Sequence, residues 1–465
     1  MGRAVARRRY ITLYTIDYTN SNAKLIGMNN LPQKNYIARD LFPAIARHAW
    51  QEPEITLLTG SRQVGKSVLL SQLHDYLIQE KKVRADRVLT YNLDLVQDYE
   101  TLRDQRAFIE FLRARSMEHK LYVLVDEAQK LPEAASYFKG LYDSQLNIKL
   151  ILTGSAALET KSHIKETLAG RKRVFWIPTF NFSEMLRVHV PTLAEVLHGG
   201  KKPSALDAKE LIRKYQEYAL YGGYPRVVLA QDPQVKIAIL REIYSSYVER
   251  DAIGFFSVTS RSAFVRLIKL LAAQTGQPIN IAELAINLAI SRITVERYLE
   301  VLEDTFIVRR ISPYFTNPRQ EIVKAGKVFF LDSGIRNLAL DNFQLWPERV
   351  DQGALLENSV FADLARFFTD QASIHFWKTK QGSEVDFVIE RGTVLMPLEV
   401  KTTVRPSHIP ASLHTFIEKF KPSKAAVVSL NQSGRVVKVD SAPVHFIFPF
   451  ALQLLDITKA KGSKR

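Results

Sequence analysis

The residues best suited to do chemistry lie in a short glycine-containing loop. Residues 60–67 fit the spacing G-x-x-x-x-G-K-[ST], with an apolar, strand-like segment before them and a helix-like segment after them. In that setting the glycines let successive N–H groups and a helix N-terminus face one anion. The pattern therefore predicts a site for the phosphates of ATP. The residues predicted to surround them are Gly60, Ser61, Arg62, Gln63, Val64, Gly65, Lys66 and Ser67.

Two adjacent carboxylates, Asp126 and Glu127, follow a second apolar segment, Leu121–Val125. We expect Lys66 to reach the β- and γ-phosphates, and Ser67 and Asp126 to hold Mg²⁺. Glu127 is then the candidate to polarise the attacking water, so the pair of acids predicts hydrolysis rather than binding alone. The alternative is a solvated Asp-Glu pair at the end of a strand.

Three more residues are candidates for the same site. Thr153 and Ser155 follow the next apolar segment, and ligands gather at the carboxyl ends of parallel strands. They are predicted to touch the nucleotide or the water, unless they only close a turn. Arg171 could neutralise charge on the transferred phosphoryl group, within the chain or from a neighbouring subunit in a homo-oligomer. A solvated basic turn is the alternative for Arg171.

The elements that must position these residues alternate between strand and helix. Such alternation predicts an α/β fold with a mostly parallel sheet covered on both faces. An amphipathic helix is predicted at 40–50, before the loop. The further predicted strands are Arg87–Leu93, Leu121–Val125, Lys149–Thr153 and Val174–Ile177.

Composition narrows the class of protein. The chain has 465 residues and no cysteine, which excludes disulfides, a thiol nucleophile and Cys-ligated metals. No apolar run approaches the length of a membrane span, and we expect a cytoplasmic protein. The net charge of +16 invites a nucleic-acid partner. Half of that excess lies in residues 1–10 and 459–465, so charge alone does not establish one.

Residues 205–335 are predicted to be a helical region that contains a winged helix. Ile279–Ala285 is the expected first helix of a helix–turn–helix, and Ser291 is the expected cap of the second. The segments 306–311 and 328–331 are the expected strands of the wing. Arg292, Thr294 and Arg297 would face DNA if the second helix entered the major groove. A winged helix that docks a protein or serves as a lid is the alternative.

Residues 350–455 contain a second group of chemically capable residues. Asp386 is predicted near the start of one strand, and Glu399 and Lys401 alternate on the next, so that both point to one face. These residues, with Glu357 on the preceding helix, resemble the PD-(D/E)XK nuclease core. The resemblance implies a second metal site for phosphodiester cleavage, although domains of this fold are also used as binding scaffolds.

Over roughly residues 35–230, the chain resembles the AAA-type P-loop ATPases, and specifically a prokaryotic group that joins such a module to a C-terminal domain of unknown function. The resemblance implies a five-stranded core in which Arg87–Leu93 is inserted between the two Walker strands, and it favours a catalytic role for Arg171. The motifs that carry it are the loop at 60–67, Asp126-Glu127 followed by Gln129–Pro132, Thr153-Gly154-Ser155, Leu168–Arg171, Phe182-Ser183-Glu184 and Gly222–Pro225, with a similar C-terminal signature at Gly382–Phe387.

The predicted organisation is a basic extension (1–30), an AAA-type ATPase domain (31–200), the helical and winged-helix region (205–335), a nuclease-like α/β domain (350–455) and a basic tail (456–465). The predicted function is Mg²⁺-dependent binding and hydrolysis of ATP, coupled to a DNA-binding or nuclease-like C-terminal half. The alternative is an ATP-gated switch that binds protein partners and cleaves nothing.

Overall fold

The computed structural model describes residues 36–154, 168–198, 203–256, 258–315, 326–369, 371–440 and 442–455. Ile37–Arg465 is one of two units of the chain, the other being Met1–Tyr36. Ser155, the predicted extension at 1–30 and the predicted tail at 456–465 lie outside the described residues.

The first sheet has five parallel strands in the order β2-β3-β4-β1-β5. Every residue of β1 and of β3 is buried, as expected for strands with helices on both faces. The strands are β1 (Ile55–Thr59), β2 (Val88–Asn92), β3 (Leu121–Asp126), β4 (Ile148–Gly154) and β5 (Lys172–Trp176). The helices before and among them are Phe42–Gln51, Lys66–Gln79, Val96–Arg103, Gln105–Ser116 and Ala134–Asp143.

The sheet order corrects one expectation. Although β2 falls between β1 and β3 in the sequence, it forms the edge of the sheet. The strand that separates β1 from β3 is β4, whose Thr153 pairs with Leu58. A sequence shows which strands exist, but helical crossovers decide which become neighbours.

Helices dominate residues 182–304. A short antiparallel pair follows, formed by β6 (Val308–Ile311) and β7 (Lys327–Phe330). Ser291 caps the helix Arg292–Asp304 by accepting from the N–H of Thr294, as predicted. The order of helices and strands agrees with the prediction for this region, while the winged-helix assignment stays a prediction. The helices are Phe182–His189, Pro191–His198, Ala205–Tyr221, Pro225–Leu229, Pro233–Ser246, Arg261–Ala273, Ile281–Leu288, Arg292–Asp304 and Ser333–Leu340, with a π-helix at Tyr247–Phe255.

The C-terminal part is a mixed sheet of six strands in the order β12-β13-β11-β10-β9-β8. The helix Gln352–Phe368 precedes it, and the helix Ala411–Phe420 connects β10 to the parallel strand β11. The sequence prediction missed β12 and β13. The strands are β8 (Ser373–Lys378), β9 (Glu384–Arg391), β10 (Val394–Lys401), β11 (Ala425–Ser429), β12 (Arg435–Val439) and β13 (Ala442–Ile447).

The largest apolar cores are shared among the predicted domains. One joins residues around Leu58 and Leu73 to residues of the helical region, including Phe264 and Leu299. Another joins Phe182 and Tyr215 to the C-terminal sheet. The helical region therefore packs on both the first sheet and the C-terminal sheet. In the part of the chain that is described, no helix is both long enough and apolar enough to cross a bilayer.

Candidate nucleotide site and a second carboxylate cluster

The loop at 60–67 curls between β1 and the helix Lys66–Gln79. Gly60 is needed because a Cβ there would lie 2.4 Å from the carbonyl oxygen of Ile177. Gly65 has a φ of +96°, and Gln63 also has a positive φ. Left-handed residues at such positions are typical of loops in which successive N–H groups form an anion-binding concavity.

Lys66 is buried inside this loop. Its Nζ donates to the carbonyl oxygens of Gly60 and Ser61, at 2.9 Å each. Burial lowers the pKa of Lys66, and the carboxylates of Glu127 and Asp126 oppose that shift. The structure therefore brings the predicted loop lysine and the predicted acid pair together at the carboxyl edge of the sheet.

Thr153 holds Asp126 in place. The Thr153 hydroxyl donates to Asp126 Oδ1 and accepts from the N–H of Glu127 at 3.1 Å. Thr153 is fully buried and Asp126 is nearly so. The prediction placed Thr153 near the nucleotide. In the structure it orients a carboxylate, and Ser155 lies outside the described residues.

Glu127 has a positive φ of 56°, which directs its backbone N–H toward Asp126 and Thr153. Its Oε2 accepts from Gln129 Nε2 at 2.6 Å. A strained backbone at such a position is common in functional sites. Gln129 was part of the motif used above, but no role could be assigned to it from the sequence.

The helical region contacts the loop at several points. Arg62 Nε donates to Asp251 Oδ1 at 2.7 Å. The Tyr224 hydroxyl lies 3.4 Å from Ser61 Oγ. Arg226 donates to Gln63 Oε1 at 3.0 Å. These contacts join residues more than 160 positions apart, and sequence reasoning found no role for Tyr224, Arg226 or Asp251.

Arg39 stabilises the loop through hydrogen bonds to backbone carbonyl oxygens. Its guanidinium donates to the carbonyl oxygen of Val64 at 3.2 Å and to that of Pro178 at 2.7 Å. It also forms a buried ion pair with Glu184 at 3.0 Å. Neither residue was predicted as part of the site.

Arg171 lies at the other end of the sheet. Its carbonyl oxygen accepts from the N–H of Ile55, the first residue of β1, whereas the phosphate loop follows the last. Its side chain pairs with Asp143 at 2.7 Å and is partly exposed. A strand of five residues separates the two positions, or about 16 Å. Arg171 is therefore not beside the phosphate loop of its own chain.

The second predicted group converges in the C-terminal sheet. Lys401 Nζ lies 2.8 Å from Glu399 Oε1 and 3.6 Å from Asp386 Oδ2. Asp386 also accepts from the backbone N–H of Val400 at 2.7 Å. Glu357 Oε1 and Glu399 Oε2 are buried without a hydrogen-bond partner. As predicted, Glu399 and Lys401 share one face of β10.

The helical region supplies a further cation to this cluster. Lys327 of β7 lies 3.6 Å from Glu357 and 2.5 Å from Glu384. Burial, and secondarily Asp386, raises the pKa of both Glu357 and Glu399. Within the described residues no set of three or more His, Cys, Asp or Glu side chains is placed to hold a metal ion. A cation here would have two protein carboxylates at most, which is common for Mg²⁺.

One of the candidate DNA-contacting residues forms a hydrogen bond within the chain. Arg297 donates to the carbonyl oxygen of Phe256 at 3.1 Å. Glu296, in the same turn, pairs with Arg310 at 2.8 Å. Ile293 is 82% exposed at the start of the helix. This surface therefore offers an apolar side chain as well as Arg292.

The parallel sheet, the loop and the acid pair form the arrangement that is typical of P-loop domains. Comparison with protein families agrees, since residues 52–186 match the model described as "AAA domain". Residues 52–186 are thus similar in sequence to AAA domains. Residues 212–345 and 352–451 match two models described as domains of unknown function, DUF8612 and DUF4143.

Relatives of the chain are found in bacteria and archaea. An uncharacterized protein of Haemophilus influenzae is 26% identical over 74% of this chain and 82% of its own length. One of Mycobacterium tuberculosis is 25% identical over 82% of this chain and 78% of its own. One of Methanocaldococcus jannaschii is 24% identical over 72% of each chain.

Among solved structures, the Aeropyrum pernix ORC2 protein aligns with 68% of this chain and 96% of its own at 13% identity and a TM-score of 0.36. The replication initiator DnaA, bound to AMPPCP and single-stranded DNA, aligns with 58% of this chain and 90% of its own at 13% identity and a TM-score of 0.29. Likenesses of this size carry no information on partners.

Proposed function

We propose that the protein binds Mg-ATP at the loop 60–67 and hydrolyses it. The observation that carries the proposal is the convergence of Lys66, Asp126 and Glu127 at one edge of the parallel sheet. In the proposed site the loop N–H groups and Lys66 bind the phosphates. Ser67 and Asp126 would hold Mg²⁺, which would neutralise part of the phosphate charge.

Glu127 is the proposed base, because its carboxylate follows the strand that carries Asp126. Gln129 holds one oxygen of Glu127, which leaves the other free to accept a proton from water. Thr153 fixes Asp126 and the Glu127 backbone, so it acts as a positioning residue. Ser155 remains a proposed nucleotide contact from the sequence alone.

Substitution of Lys66 tests the site. Lys66→Ala should abolish ATP turnover and strongly weaken binding of a fluorescent ATP analogue. Lys269→Ala, on a helix of the middle region, is the matched control and should leave both unchanged. Turnover at the wild-type rate in Lys66→Ala would overturn the assignment of the site.

We propose that Arg171 acts between subunits of a homo-oligomer, since it lies at the far end of its own sheet. Arg171→Ala should then lose turnover but still bind ATP. Mixing Arg171→Ala with Lys66→Ala should restore part of the activity, because one chain supplies an intact loop and the other an intact arginine. A mixture as inactive as its components would refute this role.

The proposed output is a DNA-binding or nuclease-like activity of the C-terminal half. The convergence of Asp386, Glu399 and Lys401, with buried carboxylate oxygens that lack hydrogen-bond partners, favours cleavage of a phosphodiester. The second candidate is an ATP-gated switch for protein partners, favoured by the exposed Ile293 at the start of the helix Arg292–Asp304.

One assay separates these outputs. Wild-type protein is incubated with DNA or RNA, with Mg²⁺ or Mn²⁺, in the presence and absence of ATP. Cleavage that disappears in Asp386→Ala while ATP turnover persists supports the nuclease. Absence of cleavage by the wild type under all of these conditions supports the switch.

A further inference from the structure

The π-helix Tyr247–Phe255 places a carboxylate next to the phosphate loop. Asp251, near its centre, is only 7% exposed and accepts a hydrogen bond from Arg62. A π-helix is rare and is often found at functional sites. The matched family models leave residues 247–255 without an assigned role.

The surroundings of Asp251 are those of a bound anion. It forms an ion pair with Arg62 at 2.7 Å, and its charge also interacts with that of Lys66. Burial raises the pKa of Asp251, while Arg62 and Lys66 oppose that rise. The ion pair with Arg62 thus places a buried carboxylate beside the loop that is proposed to receive phosphate charge.

The ends of the same segment are attached to the helix Arg292–Asp304. Thr305, directly after that helix, donates to the Tyr247 hydroxyl at 3.0 Å. Arg297 within the helix donates to the carbonyl oxygen of Phe256 at 3.1 Å. A shift of the segment would break these contacts or move the helix.

We propose that Asp251 is a built-in competitor of the nucleotide phosphates and that phosphate binding displaces the segment 247–255, and with it the helix Arg292–Asp304. The inference rests on the proposed nucleotide site and names its regulation. A ligand shifts a conformational equilibrium only by binding the two states differently. Here the difference is the repulsion between the Asp251 carboxylate and the phosphates, together with the release of Arg62.

The test measures the dissociation constant of a non-hydrolysable ATP analogue with Mg²⁺. Asp251→Asn keeps the side-chain shape but removes the charge. It should bind the analogue at least about tenfold more tightly, because two like unit charges even about 12 Å apart repel each other by that amount at an effective dielectric constant of about 20. Structural damage would instead weaken binding. Glu249→Gln is the matched control, because Glu249 lies on the same segment but pairs with the exposed Arg261, and its affinity should equal that of the wild type.

A second measurement compares amide hydrogen exchange in the wild type and in Asp251→Asn. The analogue should increase amide hydrogen exchange in 247–256 and 292–304, and it should have much less effect in Asp251→Asn. If the wild type does not bind the analogue, the proposed nucleotide site itself fails. If the wild type binds the analogue and Lys66→Ala does not, the proposed nucleotide site stands. The role of Asp251 is then refuted if Asp251→Asn binds the analogue no more tightly than the wild type, or if the analogue leaves hydrogen exchange in the wild type unchanged.

Discussion

Substitution of Thr153 tests whether the arrangement of the acid pair matters for function. Thr153→Val replaces the hydroxyl by a methyl group of similar volume in a fully buried position. The Asp126 carboxylate then loses its side-chain donor, and the N–H of Glu127 keeps only Asp126 as acceptor. We expect Asp126 to lose its fixed orientation while the fold is retained.

The size of the effect follows from that lost hydrogen bond. A hydrogen bond to a charged group contributes about 1.5–3 kcal/mol, which corresponds to roughly 10- to 150-fold in a rate or binding constant. Loss of a partner that orients a metal ligand typically costs about 10- to 100-fold in metal affinity or activity. We therefore expect one of two results for Thr153→Val. Either the Mg²⁺ concentration for half-maximal ATP turnover rises at least about tenfold, or the turnover rate falls at least about tenfold.

The assay is a Mg²⁺ titration of steady-state turnover, combined with urea unfolding. Thr153→Ser is the control, because it keeps the hydroxyl and loses one buried methyl group, at a cost of about 1 kcal/mol of stability. The serine variant should keep the wild-type Mg²⁺ dependence even though it is less stable. Wild-type turnover and Mg²⁺ dependence in Thr153→Val would refute the positioning role of Thr153.

Three further predictions address other parts of the molecule. Glu127→Gln should lower kcat by about 10²- to 10⁴-fold with unchanged ATP affinity; an unchanged kcat would exclude Glu127 as the base. Arg39→Met leaves the carboxylate of Glu184 buried without its cation, so the free energy of unfolding should fall by about 3 kcal/mol, and an unchanged urea midpoint would contradict this. Burial raises the pKa of Glu357 from 4.5 to about 8, so the folded state holds a proton that the unfolded state releases, and stability should fall as pH rises from 4.5 to 8. Glu357→Gln should flatten that fall, and unfolding midpoints with the same pH slope as the wild type would count against it.

The sequence was most informative where local pattern and chemistry coincide. The loop at 60–67 combines a fixed spacing with a strand before it and a helix after it, so both its position and its neighbours were predictable. The alternation of Glu399 and Lys401 also follows directly from the period of a strand. In contrast, β12 carries mostly exposed residues, and its weak apolar pattern gave no signal.

Long-range contacts could not be predicted in the same way. The contact between Arg62 and Asp251 joins residues 189 positions apart, and it depends on how the helical region packs on the first sheet. The edge position of β2 likewise depends on crossover paths. The distance between Arg171 and the phosphate loop became visible only once the strand direction and the pairing of its carbonyl oxygen were known.

Lys327 has a consequence for how segments of such proteins can be exchanged. It belongs to β7, yet its side chain, 1% exposed, lies 3.6 Å from Glu357 and forms an ion pair with Glu384 in the C-terminal part. A fragment that starts at residue 350 would leave these carboxylates without that cation. A chimaera of two related chains must therefore take β7 and the C-terminal part from the same parent. The smallest exchangeable segment is thus longer than the predicted domain 350–455.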